Sequence, residues 1–326
     1  MILTTRTIIL WSNKNSGVLL KMKTTEGVDR VKVGGQAVIE GVLMIAKKVS
    51  LAVRKSNGEI VVRDLGKVNF PKWAKIPFIR GFYSLFVSLY FGIKALNLSS
   101  EISSGEQMKN SEKILSLLLA IGLAVGLFIV VPIFLTNFLV EKRGEFLYSI
   151  VEGFIRLGLF LLYVWIISLF RDVKRVFQFH GAEHMTIHAF ERGEDLRVEN
   201  VRKYSTIHPR CGTNFLMIFL IVAIVLLSVF GSVVNLSTWT RILSRLILLP
   251  VVAGISYELL KVVAFFNGRG WVKVLYLPGY LLQYLTTARP DDSQIEVAIA
   301  ALKHAVGEEK NATEEKKKEE DVELLG

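Results

Sequence analysis

Residues 114–140 run without one charged side chain, well beyond the ~20 apolar residues that cross a hydrocarbon core of ~30 Å. In water such a segment would need covering on every side, so it commits the chain to a membrane architecture. Three further predominantly apolar runs, residues 146–170, 213–236 and 242–262, are also long enough to cross, although the first carries Glu152 and Arg156 and the last Glu258 near its far end. The whole chain of 326 residues is 52% hydrophobic with a mean hydropathy of +0.44, against an apolar content of ~45–50% in soluble domains. The expected fold is mainly α, a polytopic membrane helix bundle of about four transmembrane helices, with a small N-terminal β-rich cytosolic unit. Residues 76–98, which carry Pro77, Arg80 and Lys94, and residues 271–285, which contain Pro278-Gly279, read as one or two interfacial helices.

The expected organisation follows in chain order. Residues 1–30 lack a long apolar h-region and read as a poorly ordered extension, not a signal peptide. Residues 31–70 form the β-rich unit: Val49-Ser-Leu-Ala-Val-Arg54 and Glu59-Ile-Val-Val-Arg63 favour strands, and Ser56-Asn57-Gly58 between them suits a tight hairpin. Residues 71–306 are the membrane domain, interrupted by a hydrophilic, His-rich loop at 171–212. Asp292 is a candidate cap for an amphipathic helix at 293–305. Residues 307–326, dominated by Glu and Lys, bury almost nothing and read as a disordered tail.

The formal net charge is +11 with a pI near 9.6. These bases flank apolar runs, which favours anionic membrane lipids as partners and excludes nucleic acid. An even number of crossings returns the chain to its starting side. The His-rich loop holds Arg171, Lys174, Arg175, Arg192, Arg197, Arg202, Lys203 and Arg210, so the positive-inside bias places it, with both termini, in the cytosol under the cell membrane. A single cysteine, Cys211, rules out an internal disulfide framework and fits that reducing compartment. Glu152 and Arg156 sit four apart in the second run and read as a pair, which leaves a transporter weakly supported.

Chemistry concentrates in Phe177–His188. On a helix, His180, Glu183 and His184 fall on one face, and two imidazoles four apart can grip one ion. His-x-x-Glu-His is the reversed zinc-protease motif, with the glutamate as general base. His188 extends the stretch, and His208 and Cys211, three apart, return to the same membrane face beside Arg210. Four ligands, His180, His184, His208 and Cys211, would close a structural zinc site; three would leave a position open for catalysis. Glu258 is an alternative distant ligand. Gln36 and Glu40, in Gly34-Gly35-Gln36-Ala37-Val38-Ile39-Glu40-Gly41, are secondary candidates because the glycine pair can bring backbone close to a ligand. A competing chemistry makes Cys211 a nucleophile activated by His208 or His184.

That glycine motif, Phe179–His184, Val198–Thr213 and Thr286–Leu302 together resemble the YqhQ-like family of bacterial integral membrane proteins, over about residues 33–303. The resemblance implies a metal-dependent enzyme with His180, His184, His208 and Cys211 on the metal and Glu183 as base. Relatives tend to continue the glycine motif with Met-Arg-Gly-Pro where this chain has Leu43-Met-Ile-Ala-Lys-Lys48, so Lys47 or Lys48 would stand in for that arginine. The reading is a zinc-dependent hydrolase at the bilayer surface, acting on a lipid-linked or membrane-bound peptide substrate. The alternative is a structural or assembly protein whose loop is stapled to the bundle. A second copy of the chain is a further candidate partner.

Overall fold

The computed structural model describes residues 32–107, 109–140, 144–233, 237–266 and 270–308. The expected extension at 1–30 and most of the expected tail lie outside them. Four antiparallel strands come first: β1 (Gly34–Val38), β2 (Gly41–Ile45), β3 (Val49–Arg54) and β4 (Ile60–Gly66), paired in chain order. The hairpin at 55–58 closes with Gly58 N–H donating to the Lys55 carbonyl at 2.9 Å. β2 and β3 are apolar almost throughout because both faces of the sheet are covered. One face, through Leu43, Leu51 and Val53, buries Phe91 and Ala95 of α1 (Ile79–Ser104). The other, through Val42, Met44 and Ala52, meets α5 (Arg171–Arg192) and α10 (Asp292–Val306).

Between these lie α2 (Asn110–Val125), a five-residue π turn (Gly126–Val130), α3 (Val131–Leu139) and α4 (Glu145–Ser168). After α5 come the short α6 (Val198–Val201), α7 (Gly212–Val233), α8 (Thr238–Phe265) and α9 (Gly270–Thr286). Among the described residues five helical stretches are long and apolar enough to cross a membrane, at 79–104, 110–139, 145–168, 212–231 and 238–263. That is one more than the sequence suggests. The extra one is α1, which is longer than the apolar segment at 76–98 because Ser99–Ser104 continue the helix until Gly105 ends it in the left-handed region. Its start is tied to α8, where Glu258 accepts from Arg80 Nε at 2.6 Å and from Phe78 N–H at 3.1 Å. Its end is tied to the start of α2 by the Lys113–Glu101 ion pair at 2.5 Å.

Glu152 and Arg156 do pair, but inside the bundle rather than at its edge, and a third charge joins them. Arg245 of α8 donates to Glu152 Oε2 at 2.6 Å and to Oε1 at 3.2 Å, and all three side chains are buried. Arg156 Nε also donates to the Phe128 carbonyl at 2.7 Å. That carbonyl belongs to the π turn, whose wider winding takes carbonyls off the ordinary i+4 ladder and leaves them open to other donors. One carboxylate thus joins α4 to α8, and the same arginine joins both to the α2–α3 segment.

α10 is capped by Asp291 rather than Asp292. Asp291 is extended and its carboxylate accepts from Gln294 N–H at 2.9 Å, while Gln294 Oε1 accepts from Asp291 N–H at 3.0 Å. The segment leading into this cap runs against α5 at Gly181. A Cβ there would lie 2.1 Å from the Ala288 carbonyl oxygen, so only glycine admits this approach. Gly181→Ala is expected to cost about 1–3 kcal/mol by forcing the backbones apart. Thermal unfolding in detergent checks this; an unchanged midpoint would show that the contact is not tight.

Candidate metal centre

Residues 171–192 are one helix, so the His-rich segment is ordered rather than loop-like over half its length. Its apolar and small positions, Phe179, Ala182, Met185 and Ala189, pack into the sheet and α10. That packing turns His180, Glu183 and His184 toward a cleft of about 760 Å³, which β1 and the 208–213 segment also line.

Two backbone carbonyls set the imidazoles. His180 Nδ1–H donates to Thr286 O at 2.8 Å and His184 Nδ1–H to Thr206 O at 2.5 Å, which leaves both Nε2 lone pairs free to face the cleft. His180 Nε2 lies 3.3 Å from Cys211 Sγ. His184 Nε2 is buried with no partner in the protein. Ligand atoms of His180, His184 and Cys211 all fall within 4.8 Å of one another. Burial keeps His184 well below the usual imidazole range, with His180 adding to the effect, so it is a neutral imidazole at physiological pH, the form that could bind a metal. Burial also raises the Cys211 thiol against hydrogen bonds from Thr213 N–H and Oγ1. The protein alone therefore keeps it protonated, which disfavours the nucleophile reading. The imidazole at the sulfur is moreover His180, not His184 or His208.

His208 lines the same cleft, its ring centroid 5.6 Å from that of His184, but it makes a different set of contacts. Its backbone is clamped by the buried Gln283, which accepts from His208 N–H at 2.8 Å and donates to its carbonyl at 3.1 Å. Its ring lies tilted against that of His188, with centroids 4.4 Å apart, and Nε2 lies 3.5 Å from Glu191 Oε2. The structure therefore splits the four expected ligands into His180, His184 and Cys211, and a neighbouring group of His188, Glu191 and His208. Burial alone would push Glu191 up, but His208, Arg210 and His188 together hold it below the usual carboxylate range. Glu191 is a residue that sequence reading missed, although His188-x-x-Glu191 repeats His180-x-x-Glu183 two turns later on the same helix face. Arg210 lines the cleft and pairs with Glu191.

Glu183 sits under β1, with Oε2 unpartnered. Burial pushes its carboxyl up to about 8, against a lowering by His180 and with a further rise from Cys211. A Cβ on Gly35 would stand 2.6 Å from Glu183 Oε1, so glycine at this position is what lets the strand cover the carboxyl. Gln36 lines the cleft and touches Gly92 of α1. Other candidates lie apart. Glu258 is occupied by Arg80, and Glu40 forms a bidentate pair with Arg175 at the β1–β2 turn. Lys48 pairs with Asp64 at 3.2 Å and Lys47 is exposed; neither lines the cleft.

This geometry can be compared with known proteins. No solved structure matches the chain. The "Uncharacterized protein YqhQ" of Bacillus subtilis (strain 168) is 36% identical over 293 residues, covering 82% of this chain and 90% of that protein. The profile of the family described as "Protein of unknown function (DUF1385)" matches residues 76–308, a span that contains α5, the 208–213 segment and α10. The chain therefore belongs to the DUF1385 family, and it is YqhQ-like over most of its length.

Proposed function

We propose that this chain is a multi-pass protein of the cell membrane that holds one zinc ion on His180, His184 and Cys211 and works as a hydrolase at the cytosolic bilayer surface. The observation that carries the reading is the pair of carbonyl-anchored imidazoles whose free Nε2 atoms, one of them buried and unpartnered, converge with a thiol. Two nitrogens and one sulfur suit zinc, and three protein ligands are the number found at catalytic rather than structural centres. A zinc ion there would supply Lewis acidity and a dication beside Glu183. Glu183, buried in the cleft beside these ligands, takes the proton of an attacking water and returns it to the leaving group. Glu191 and Arg210 position His208 at the edge of the cleft.

The topology behind this reading has four crossings, at α2–α3, α4, α7 and α8, with α1 lying in the interface. Support comes from the two ends of α1, which are tied to the end of α8 and to the start of α2; four crossings put both on the cytosolic side. The sheet, α5 and α10 then share the cytosol, and the substrate is a lipid-linked or membrane-bound peptide. The test is to purify the full chain in detergent, measure bound metal, and ask whether Glu183→Gln still complements a strain lacking the gene. Retained zinc with lost complementation supports the hydrolase. Absence of metal from both proteins would sink it, and retained zinc with full complementation would point to a metal staple joining α5 to the start of α7.

A further inference from the structure

Among the described residues neither edge of the sheet is paired with a further strand, and the two edges differ. β4 carries Arg63 and Asp64 toward its end, and a register shift at Val49/Ser50 disturbs its pairing with β3. Charges and bulges of this kind discourage further strand addition. β1 reads Gly-Gly-Gln-Ala-Val, with no charge, proline or bulge, and its first three residues are exposed. It is this unprotected edge that lies beside the histidines: residues 32–37 line the cleft together with His180, Glu183 and Cys211.

The hydrogen-bond parity of the sheet shows which peptide groups of β1 are open. Arg54 N–H donates to Glu40 O at 2.8 Å and Ala46 N–H to Lys48 O at 2.9 Å, so the even-numbered residues of β2 bond toward β3. The odd ones, Gly41, Leu43 and Ile45, bond toward β1, where the register pairs them with Val38, Gln36 and Gly34. Alternation then turns the N–H and C=O of Gly35 and Ala37 away from the sheet. Outside the strand ladder no hydrogen bond among the described residues uses these groups. A Cβ on Gly34 would meet nothing within 4 Å, so the strand leaves room for the side chains of a guest. Five residues at ~3.4 Å each give an edge of ~17 Å, and Glu183 lies directly beneath its second residue.

We propose that the free edge of β1 is a docking strand for polypeptide: an extended segment pairs with the outward N–H and C=O of Gly35 and Ala37 and is held across the mouth of the Glu183 cleft. Backbone pairing of this kind recognises an unfolded chain with little regard to its sequence. The inference rests on the hydrolase reading for its purpose, since it selects the peptide over the lipid-linked alternative, but the pairing itself needs no metal.

The test uses the full chain in nanodiscs with a photo-crosslinking benzoylphenylalanine at Gly34, β-casein as an unfolded probe and ubiquitin as a folded control. Capture of casein in preference to ubiquitin is expected. Ala37→Pro should reduce the capture at least ~5-fold, because it deletes one outward N–H, worth ~1 kcal/mol, and no bond to β2. In the otherwise unaltered chain, casein should slow amide exchange across residues 33–38 while β3 is unaffected. Crosslinks confined to lipid, equal capture of ubiquitin, or unchanged exchange would overturn the proposal. Casein docking on a chain that holds no zinc would preserve it while removing the hydrolase reading. Zinc and Glu183-dependent complementation without docking would do the reverse.

Discussion

His184→Ala protein is expected to leave purification with at most about a tenth of the zinc held by the parent chain, and Cys211→Ser with a similarly reduced load. Loss of a mere supporting partner of a metal ligand costs ~10–100-fold in affinity, and loss of a ligand from a three-ligand site is at least as severe. His208→Ala separates the two groups of histidines. If His180, His184 and Cys211 are the ligands, this variant keeps its zinc, because His208 lies with His188 and Glu191. Metal analysis on the detergent-purified chains, with thermal midpoints as a check on folding, decides the matter. Equal zinc in His184→Ala and parent would refute the assignment, whereas loss in His208→Ala would restore the four-ligand site that sequence alone suggests.

Glu152→Ala is expected to be the most damaging single change outside the cleft. The carboxylate neutralises two buried arginines, Arg156 and Arg245, which are 9% and 3% exposed. Removing one partner from a buried ionic group costs about 3–5 kcal/mol, because the remaining charge stays out of water without compensation. Here two such charges remain, in helices long and apolar enough to cross the membrane. The variant should fail to accumulate or should aggregate on size-exclusion chromatography in detergent. Adding Arg245→Met, which removes one uncompensated charge, should recover part of the loss. A Glu152→Ala chain as stable as the parent would mean that water or lipid headgroups already compensate these arginines.

Sequence made some of this legible and hid the rest for definable reasons. Long apolar runs are local, so α2–α3, α4, α7 and α8 stand out within a few residues of their observed ends, and His180 meets His184 through helical spacing alone. Partition of His208 away from Cys211 depends on Gln283, 75 residues further on, gripping the His208 backbone. Spacing within the 204–213 stretch carries no trace of that grip. Arg245 was hidden for the opposite reason: beside Arg241 it resembles an ordinary basic flank, and only the packing of α7 against both α4 and α8 brings it to Glu152. The outward face of β1 required knowing that β2 exists, and Leu43-Met-Ile-Ala has no alternation to announce a strand because the sheet is covered on both sides.

The covering of the sheet also orders events during synthesis. Val42, Met44 and Ala52 leave the ribosome early, yet the helix that completes their layer, with Ile295, Ala298 and Leu302, is made last. At ~5–20 residues per second, the interval between them is on the order of tens of seconds, and all five long apolar helices among the described residues are produced within it. Until then one apolar face of the sheet has no α10, and the segment around Ala288 that abuts Gly181 and carries the Thr286 anchor of His180 does not yet exist. A nascent chain therefore has no assembled site to misuse: the geometry around His180 comes into being only after every long apolar helix has been made.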